Sequence, residues 1–237
     1  MDTAGYTTLT RQTGLMREMQ VVANNIANIS TNGFRREGVV FAEFVADLDD
    51  GPSLSMAHAK GRNVDLRQAG VSQTGGAFDF AIQGDGFFLV DTPQGQQLTR
   101  AGSFTPSATG ELVTPDGFRL LDQGGAPVFI PPDAGRVAMG SDGTLSANGA
   151  PLGKIGLWQP ADKMQLQHQS GTMFAAKGGV APAEGGTVLQ GFLEDSNVDA
   201  VSEIARMITV QRAYELGQTF LDREDARVRD VVQTLGK

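Results

Sequence analysis

Few residues in this chain have the types and spacing that chemistry needs. Its two histidines, His58 and His168, lie far apart and share no metal-ligand spacing. There is no cysteine, which removes thiolate nucleophiles, thiolate metal sites and disulfides. Neither a Gly-x-Ser-x-Gly elbow nor a Walker loop occurs. Gly84-Asp85-Gly86 is too short for a nucleotide fingerprint and reads as a turn. Carboxylates remain, since any two of the 27 acids could meet as a glycoside-hydrolysing pair. With no recognisable constellation, the expectation is a chain that is not an enzyme and takes no cofactor or metal.

The polar residues with informative spacing are amides, whose chemistry is hydrogen bonding in both directions. Leu15, Met19, Val22, Ile26 and Ile29 recur at spacings of 4, 3, 4 and 3, and Asn24, Asn25 and Asn28 crowd the end of that stripe. Near the other terminus, Met207, Tyr214, Leu221, Val228 and Leu235 recur every seven residues. Gln211, Gln218 and Asp225 take the alternate positions there, and Ile204 and Ile208 broaden the first turns. A three-to-four spacing places one apolar stripe on an α-helix. Asparagine is a mediocre helix former. Either these side chains face solvent, or they bond to neighbouring chains and fix register, as single buried asparagines do in coiled coils.

The elements that must carry these residues follow from glycine and proline usage. Residues 3–30 contain no proline and predict a helix of about 42 Å at 1.5 Å per residue. Thr31-Asn32-Gly33 breaks it, with Gly33 suited to the left-handed position past a helix end. Residues 37–70 read as an extended connector with one strand. Residues 71–192 hold most of the glycines and nine of the ten prolines, with short apolar runs separated by Asp85-Gly86, Asp116-Gly117, Asp142-Gly143 and Asn148-Gly149. That pattern predicts short antiparallel strands in a sandwich or barrel, with Phe78, Phe80, Phe87, Phe104, Phe118, Phe129, Trp158, Phe174 and Phe192 in its core. The last helix starts near 197, capped by Asn197 or Asp199 with Glu203 in its first turn. The expected fold is α+β. Long N- and C-terminal helices (1–36 and 193–237) form a coiled-coil-like assembly domain, and the connector (37–70) leads to a central antiparallel β domain (71–192).

Two helices at opposite ends of the chain have only each other as long partners. Pairing would cover one seam and leave Leu9, Met16, Ala23, Val210 and Val231 off it. Copies of the same helices in other subunits would cover these, in head-to-tail contacts that give rings or filaments. A monomer whose helices pack onto its own β body fits the pattern as well.

Composition narrows the partners. A net charge of −8 argues against nucleic acid or an anionic membrane. No apolar run approaches the length of a membrane span. No basic segment followed by an apolar core opens the chain, so no cleaved signal peptide is expected.

The run Ala23-Asn24-Asn25-Ile26-Ala27-Asn28-Ile29-Ser30-Thr31-Asn32-Gly33-Phe34-Arg35-Arg36 resembles the N-terminal signature of the bacterial flagellar rod and hook axial proteins. Ser196-Asn197-Val198-Asp199-Ala200-Val201, followed by Met207-Ile208 and Gln211-Arg212-Ala213-Tyr214-Glu215, resembles their C-terminal signature. Between them, Asp79-Phe80-Ala81-Ile82-Gln83-Gly84-Asp85-Gly86-Phe87-Phe88 and Leu98-Thr99-Arg100-Ala101-Gly102-Ser103-Phe104 are similar to the core strands of the larger members. So is Gly110-Glu111-Leu112-Val113-Thr114-Pro115-Asp116-Gly117. The resemblance covers nearly the whole chain, in the family's order. It implies a structural rod subunit in the periplasm, exported through the flagellar type III apparatus. Its terminal helices would pack into the inner tube of a torque-transmitting shaft. The implied partners are proximal rod subunits, distal rod proteins of the FlgG type, copies of itself and the export apparatus. The implied assembly residues are Leu15, Met19, Val22, Asn24, Asn25, Ile26, Asn28 and Ile29 at one end. At the other they are Ile204, Met207, Ile208, Gln211, Tyr214, Leu221, Val228 and Leu235. The family also carries an export-gate motif, a phenylalanine followed four residues later by a hydrophobic residue, which Phe41 and Val45 match.

Overall fold

A computed structural model describes residues 3–48 and 51–235. They divide into two compact units. The helical unit takes Met1–Asn28, Arg36–Asp65 and Val198–Lys237, and the β unit takes Ile29–Arg35 and Leu66–Asn197.

The helical unit contains α1 (Thr3–Ala27), β1 (Glu37–Leu48), β2 (Gly51–Val64) and α2 (Ala200–Leu235). Helix α1 stops at Ala27, three residues before the expected end. Its last carbonyls need donors, and Asn28 supplies two. The Asn28 backbone N–H donates to Asn25 O at 3.1 Å, and its Nδ2 donates to Asn24 O at 2.9 Å. Helix α2 begins after Asp199, whose Oδ1 accepts the Ser202 N–H at 2.8 Å in an N-cap. Hydrogen bonds from the Ser202 side chain and, second, from its backbone N–H hold the Asp199 carboxyl below its usual pKa.

Residues 37–48 and 51–64 form two paired strands where one strand in an extended connector is expected. Strands β1 and β2 pair antiparallel from Glu37↔Val64 to Leu48↔Gly51, with irregularities between Val40 and Phe41 and between Ala46 and Leu48. Backbone hydrogen bonding builds such a ribbon and imposes no apolar period on the sequence, so no period revealed it.

The α+β class holds, but the coiled-coil-like assembly domain does not. There are two long helices among the described residues, one at each end, and α1 is no long coiled-coil strand. The physical reason lies in the buried positions of α1. They include Gln12, Glu18 and Asn25, which coiled-coil seams fill with apolar knobs. The hairpin takes up part of the same helix. The Phe41 ring lies so close to Gly14 that a Cβ there would meet its Cε1 at 3.0 Å.

Every strand pairing in the β unit is antiparallel. Its largest sheet has seven strands, in the spatial order 166–168, 173–176, 95–99, 88–92, 119–120, 112–113 and 105–106. Smaller sheets join 137–139, 144–147 and 150–154, and pair 80–83 with 187–190, 71–73 with 192–194, and 158–160 with 180–182. The hairpin at 147–150 turns on Asn148 (φ 51°) and Gly149 (φ 83°), both left-handed as a type I′ turn demands. Its core gathers Phe80, Ile82, Phe88, Phe104, Leu112, Leu120, Leu145 and Ile155. Phe129 is not in it. Val128 and Ile130 are buried while Phe129 is 51% exposed, because neighbours along an extended chain face opposite ways. Gly33 sits in this unit rather than at the helix end. It has φ 72°, the Phe34 N–H donates to Thr31 O across it, and a Cβ would lie 2.2 Å from the Ala101 backbone nitrogen.

Candidate assembly interface

Helices α1 and α2 pack antiparallel. Asn25 meets Glu203, Glu18 meets Arg206, and Gln12 meets Tyr214. As α1 numbers fall, α2 numbers rise. Arg206 Nη2 lies 2.7 Å from Glu18 Oε1, and Gln12 Nε2 donates to Tyr214 O at 2.9 Å. Gly217 makes room for that amide, since a Cβ there would sit 2.3 Å from Gln12 Nε2. Val21 and Val22 on α1 and Val210 on α2 are buried.

Asn25 is fully buried, and all of its assigned bonds lie within the unit. Its Oδ1 accepts the Glu37 N–H at 3.0 Å, and its Nδ2 donates to Glu37 O at 2.8 Å and to Glu203 Oε2 at 3.1 Å. One amide thus joins α1, β1 and α2. Arg36 Nε donates to Glu203 Oε1 at 2.5 Å, and Arg62 Nη1 lies 3.3 Å from Glu37 Oε2. Two buried carboxylates therefore face two guanidiniums, as buried charge requires. Asn24 reaches Glu37 Oε2 at 3.5 Å, and Asn28 caps α1.

The other expected residues fall in several places. Val22 is buried, while Leu15, Met19 and Ile26 are half-buried on α1. Ile29 is half-buried just beyond the helix, in the β unit. Met207, Tyr214 and Leu221 are half-buried on α2, whereas Ile204, Ile208, Gln211 and Val228 are exposed. Leu235 ends α2 and Val45 lies in β1 opposite Ser55, but their side chains lie outside the described residues. Phe41 is on β1 opposite Ala59 and is 42% exposed.

Sequence reasoning chose the wrong alternates to the seven-residue repeat on α2. Gln211 and Gln218 are exposed, while Glu203, Val210 and Gly217 face α1. Glu203, Met207, Val210, Tyr214, Gly217 and Leu221 are spaced 4, 3, 4, 3 and 4, which was available in the sequence. A glutamate and a glycine in the series concealed it.

A second cluster, in the β unit, went unassigned. Arg35 and Glu194 are completely buried and meet at 2.6 Å. Arg100 Nη1 approaches the other oxygen of Glu194 at 3.2 Å, and its Nη2 donates to Gly84 O at 2.8 Å. The Ala69 N–H donates to Glu194 Oε1 at 2.9 Å. Burial pushes the Arg100 pKa down, and Glu194 partly offsets this. Arg100 also lies 5.2 Å from the centre of the Phe87 ring, a cation–π distance.

Large apolar side chains are left in the open mainly on the helical unit. Leu9 and Met16 on α1, and Val201, Ile204, Ile208, Leu216 and Phe220 on α2, are each 44% exposed or more. Their arrangement suits contact with other chains better than chemistry. No cluster of three or more His, Cys, Asp or Glu side chains with metal-site geometry occurs among the described residues. No helix among them is long and apolar enough to cross a membrane.

Two family models match the chain. One, the flagellar hook protein FlgE/F/G D1 domain, covers residues 81–147. The other, the flagellar basal body rod FlgEFG protein C-terminal, covers residues 189–234 and so includes most of α2. The flagellar basal-body rod protein FlgF of Rhizobium meliloti (strain 1021) is 35% identical over 240 residues, covering 100% of this chain and 99% of the relative. FlgF of Caulobacter vibrioides is 37% identical over 243 residues, with 100% and 99% covered. The rod protein FlgG of Bacillus subtilis (strain 168) is 32% identical over 262 residues, with 96% and 97% covered.

Proposed function

The chain belongs to the flagellar basal-body rod FlgE/F/G family, and on that premise we propose how it serves as a structural subunit of the rod. Its helical unit joins neighbouring subunits through the exposed apolar faces of α1 and α2, and its β unit is carried as a self-contained body. The observation behind this is the row of exposed Ile204, Ile208, Leu216 and Phe220 on a helix whose other face already meets α1. Covering such a face gains roughly 25 cal/mol per Å² of apolar area. Neighbouring subunits are the available cover.

The rest of the reading follows from the family. Full-length similarity to FlgF proteins favours a place in the proximal rod, with proximal subunits on one side and a FlgG-type distal rod on the other. The periplasmic location, export through the type III apparatus without a cleaved signal peptide, and the absence of catalytic activity belong to the same proposal. So do Phe41 and Val45 as the segment read by the export gate, before the chain folds.

Ile208→Asp and Phe220→Asp test it, because both sites are 44% exposed and tolerate polarity in the free chain. The expected result is a folded, exported chain that is missing from isolated basal bodies, in non-motile cells. Normal motility in both variants would overturn the reading.

A further inference from the structure

We propose that a cleft in the β unit docks an acidic peptide segment of a partner protein, with Arg136 as its anchor. The choice of a peptide rests on the reading of the chain as a rod subunit, whose neighbours are proteins.

The cleft has a volume of about 680 Å³, and every residue that lines it belongs to the β unit. Ligand sites fall in the range of roughly 300–1,000 Å³. Gln73, Phe78, Pro106, Ile130, Pro131 and Arg136 are among its lining residues. One amide fixes its shape. Gln190 Nε2 donates to Ala77 O at 2.8 Å and to Val137 O at 3.1 Å, and its Oε1 accepts the Met139 N–H at 3.0 Å. The turn at Ala77 and the strand at 137–139 are thereby tied together without a ligand. A preformed site spends less of its binding energy on ordering.

Strand addition is closed off on both sides. Strand 137–139 is at the edge of its sheet, and Gln190 already takes its Val137 O and Met139 N–H. Strand 105–106 is at the edge of the seven-stranded sheet and ends in Pro106, which has no N–H to offer. Recognition therefore falls to side chains rather than to a further strand of backbone.

No aspartate or glutamate lines the cleft, so the one formal charge on its wall is the Arg136 guanidinium. Arg136 is exposed, and its side chain makes no hydrogen bond or ion pair among the described residues. Asp79 lies close to Gly76, where a Cβ would meet its Oδ2 at 2.3 Å, but that oxygen accepts the Thr74 hydroxyl at 2.6 Å. In a chain of net charge −8, a cleft whose single charge is an unpaired arginine selects an anion. The planar guanidinium fits a carboxylate through two parallel hydrogen bonds. Gly75, Gly76, Ala108, Gly135 and Ala138 make much of the remaining wall, and such small residues let a main chain approach closely. Phe78 and the prolines offer apolar surface to its side chains. A carboxylate, a close main chain and apolar side chains together describe an acidic peptide.

Two arrays of blocked ten-residue peptides test the site. One scans Asp and Glu through backgrounds of Ala, Leu and Pro, and the other carries Asn and Gln at the same positions. The full-length chain should bind members of the first array at least tenfold more tightly than their amide counterparts. Arg136→Gln should weaken that binding at least tenfold, and Arg136→Lys should restore part of it. Ala108→Glu, at an exposed cleft position, should abolish it, with circular dichroism checking that each variant is folded. Backbone amide resonances that move on adding peptide should centre on Ala108, Gly135 and Arg136. No binding from either array, equal binding of both, or binding unchanged by Arg136→Gln would overturn the site. Succinate bound as tightly as the peptides would overturn a peptide as the ligand. Self-association of the parent chain that Arg136→Gln abolishes would overturn the partner protein in favour of a second copy. All of these measurements use the free chain, so none of the failures touches the rod assignment.

Discussion

Among the described residues, 23 of the 27 buried apolar side chains belong to the β unit, whereas 12 of the 14 exposed large apolar side chains belong to the helical unit. The β unit closes its core within itself. The helical unit spends its buried positions on polar clamps such as Asn25 and Glu18 and leaves its apolar side chains outward. Both units bury charge, but differently. Glu37 and Glu203 face two arginines in the helical unit, while in the β unit a single Glu194 serves both Arg35 and Arg100. The difference separates a part that must be complete when it folds from one that is completed by its neighbours.

The largest expected effect tests the β unit. Glu194→Gln leaves two buried guanidiniums without their carboxylate, and breaking a buried pair costs about 3–5 kcal/mol. A denaturant titration should show the unfolding free energy fall by that amount, with the midpoint lowered in proportion, and an unchanged midpoint would contradict the assigned role. Next comes the polar clamp of the helical unit. Asn25→Leu strands the Glu37 N–H and C=O, at about 1–3 kcal/mol per buried unsatisfied group. The free chain should lose on the order of 2 kcal/mol, most visibly as faster amide exchange in α1.

A matched pair of surface changes addresses the contrast directly. Met164 in the β unit and Leu216 in the helical unit are 94% and 72% exposed. Replacing either with Asp should leave the free chain within about 0.5 kcal/mol of the parent. Only Leu216→Asp should abolish incorporation into basal bodies, so equal incorporation of the two would erase the distinction.

The smallest effect is a pH dependence. Asp199 is held below its usual pKa chiefly by hydrogen bonds from Ser202, and Asp142 in the β unit chiefly by hydrogen bonds from Thr144. A lowered folded pKa means that the stabilisation is complete above the unfolded pKa and is lost as pH falls through the folded value. Asp199→Ala and Asp142→Ala should therefore each lower the melting temperature slightly at neutral pH. Each gap should close in strong acid, whereas a gap that persists there would rule out the charged form as the cause.

Local signals were legible in the sequence. Asn148-Gly149 announced its turn because only a few residues accept left-handed dihedrals. Asp199 announced the start of α2 because helix starts need acceptors. Asn25 drew notice as a polar residue near an apolar stripe, but its partner is the backbone of Glu37, on a hairpin that the pattern did not show. Arg35, Arg100 and Glu194 are far apart in the chain, and no spacing rule brings them together. Val210 was misplaced because the stripe containing it includes Glu203 and Gly217. Long-range pairing of polar groups is what periodicity does not report.

Methionine oxidation gives the most direct test of the central claim, because each unit carries an exposed methionine. Met16 is 45% exposed on α1 and Met164 is 94% exposed in the β unit. Peroxide oxidises accessible methionine to the sulfoxide, and mass spectrometry reads each site separately. In the free chain both should oxidise. In isolated basal bodies Met16 should be protected at least tenfold relative to the free chain, with Met164 much less affected. Oxidation of Met16 at its free rate within the assembled rod would contradict the account.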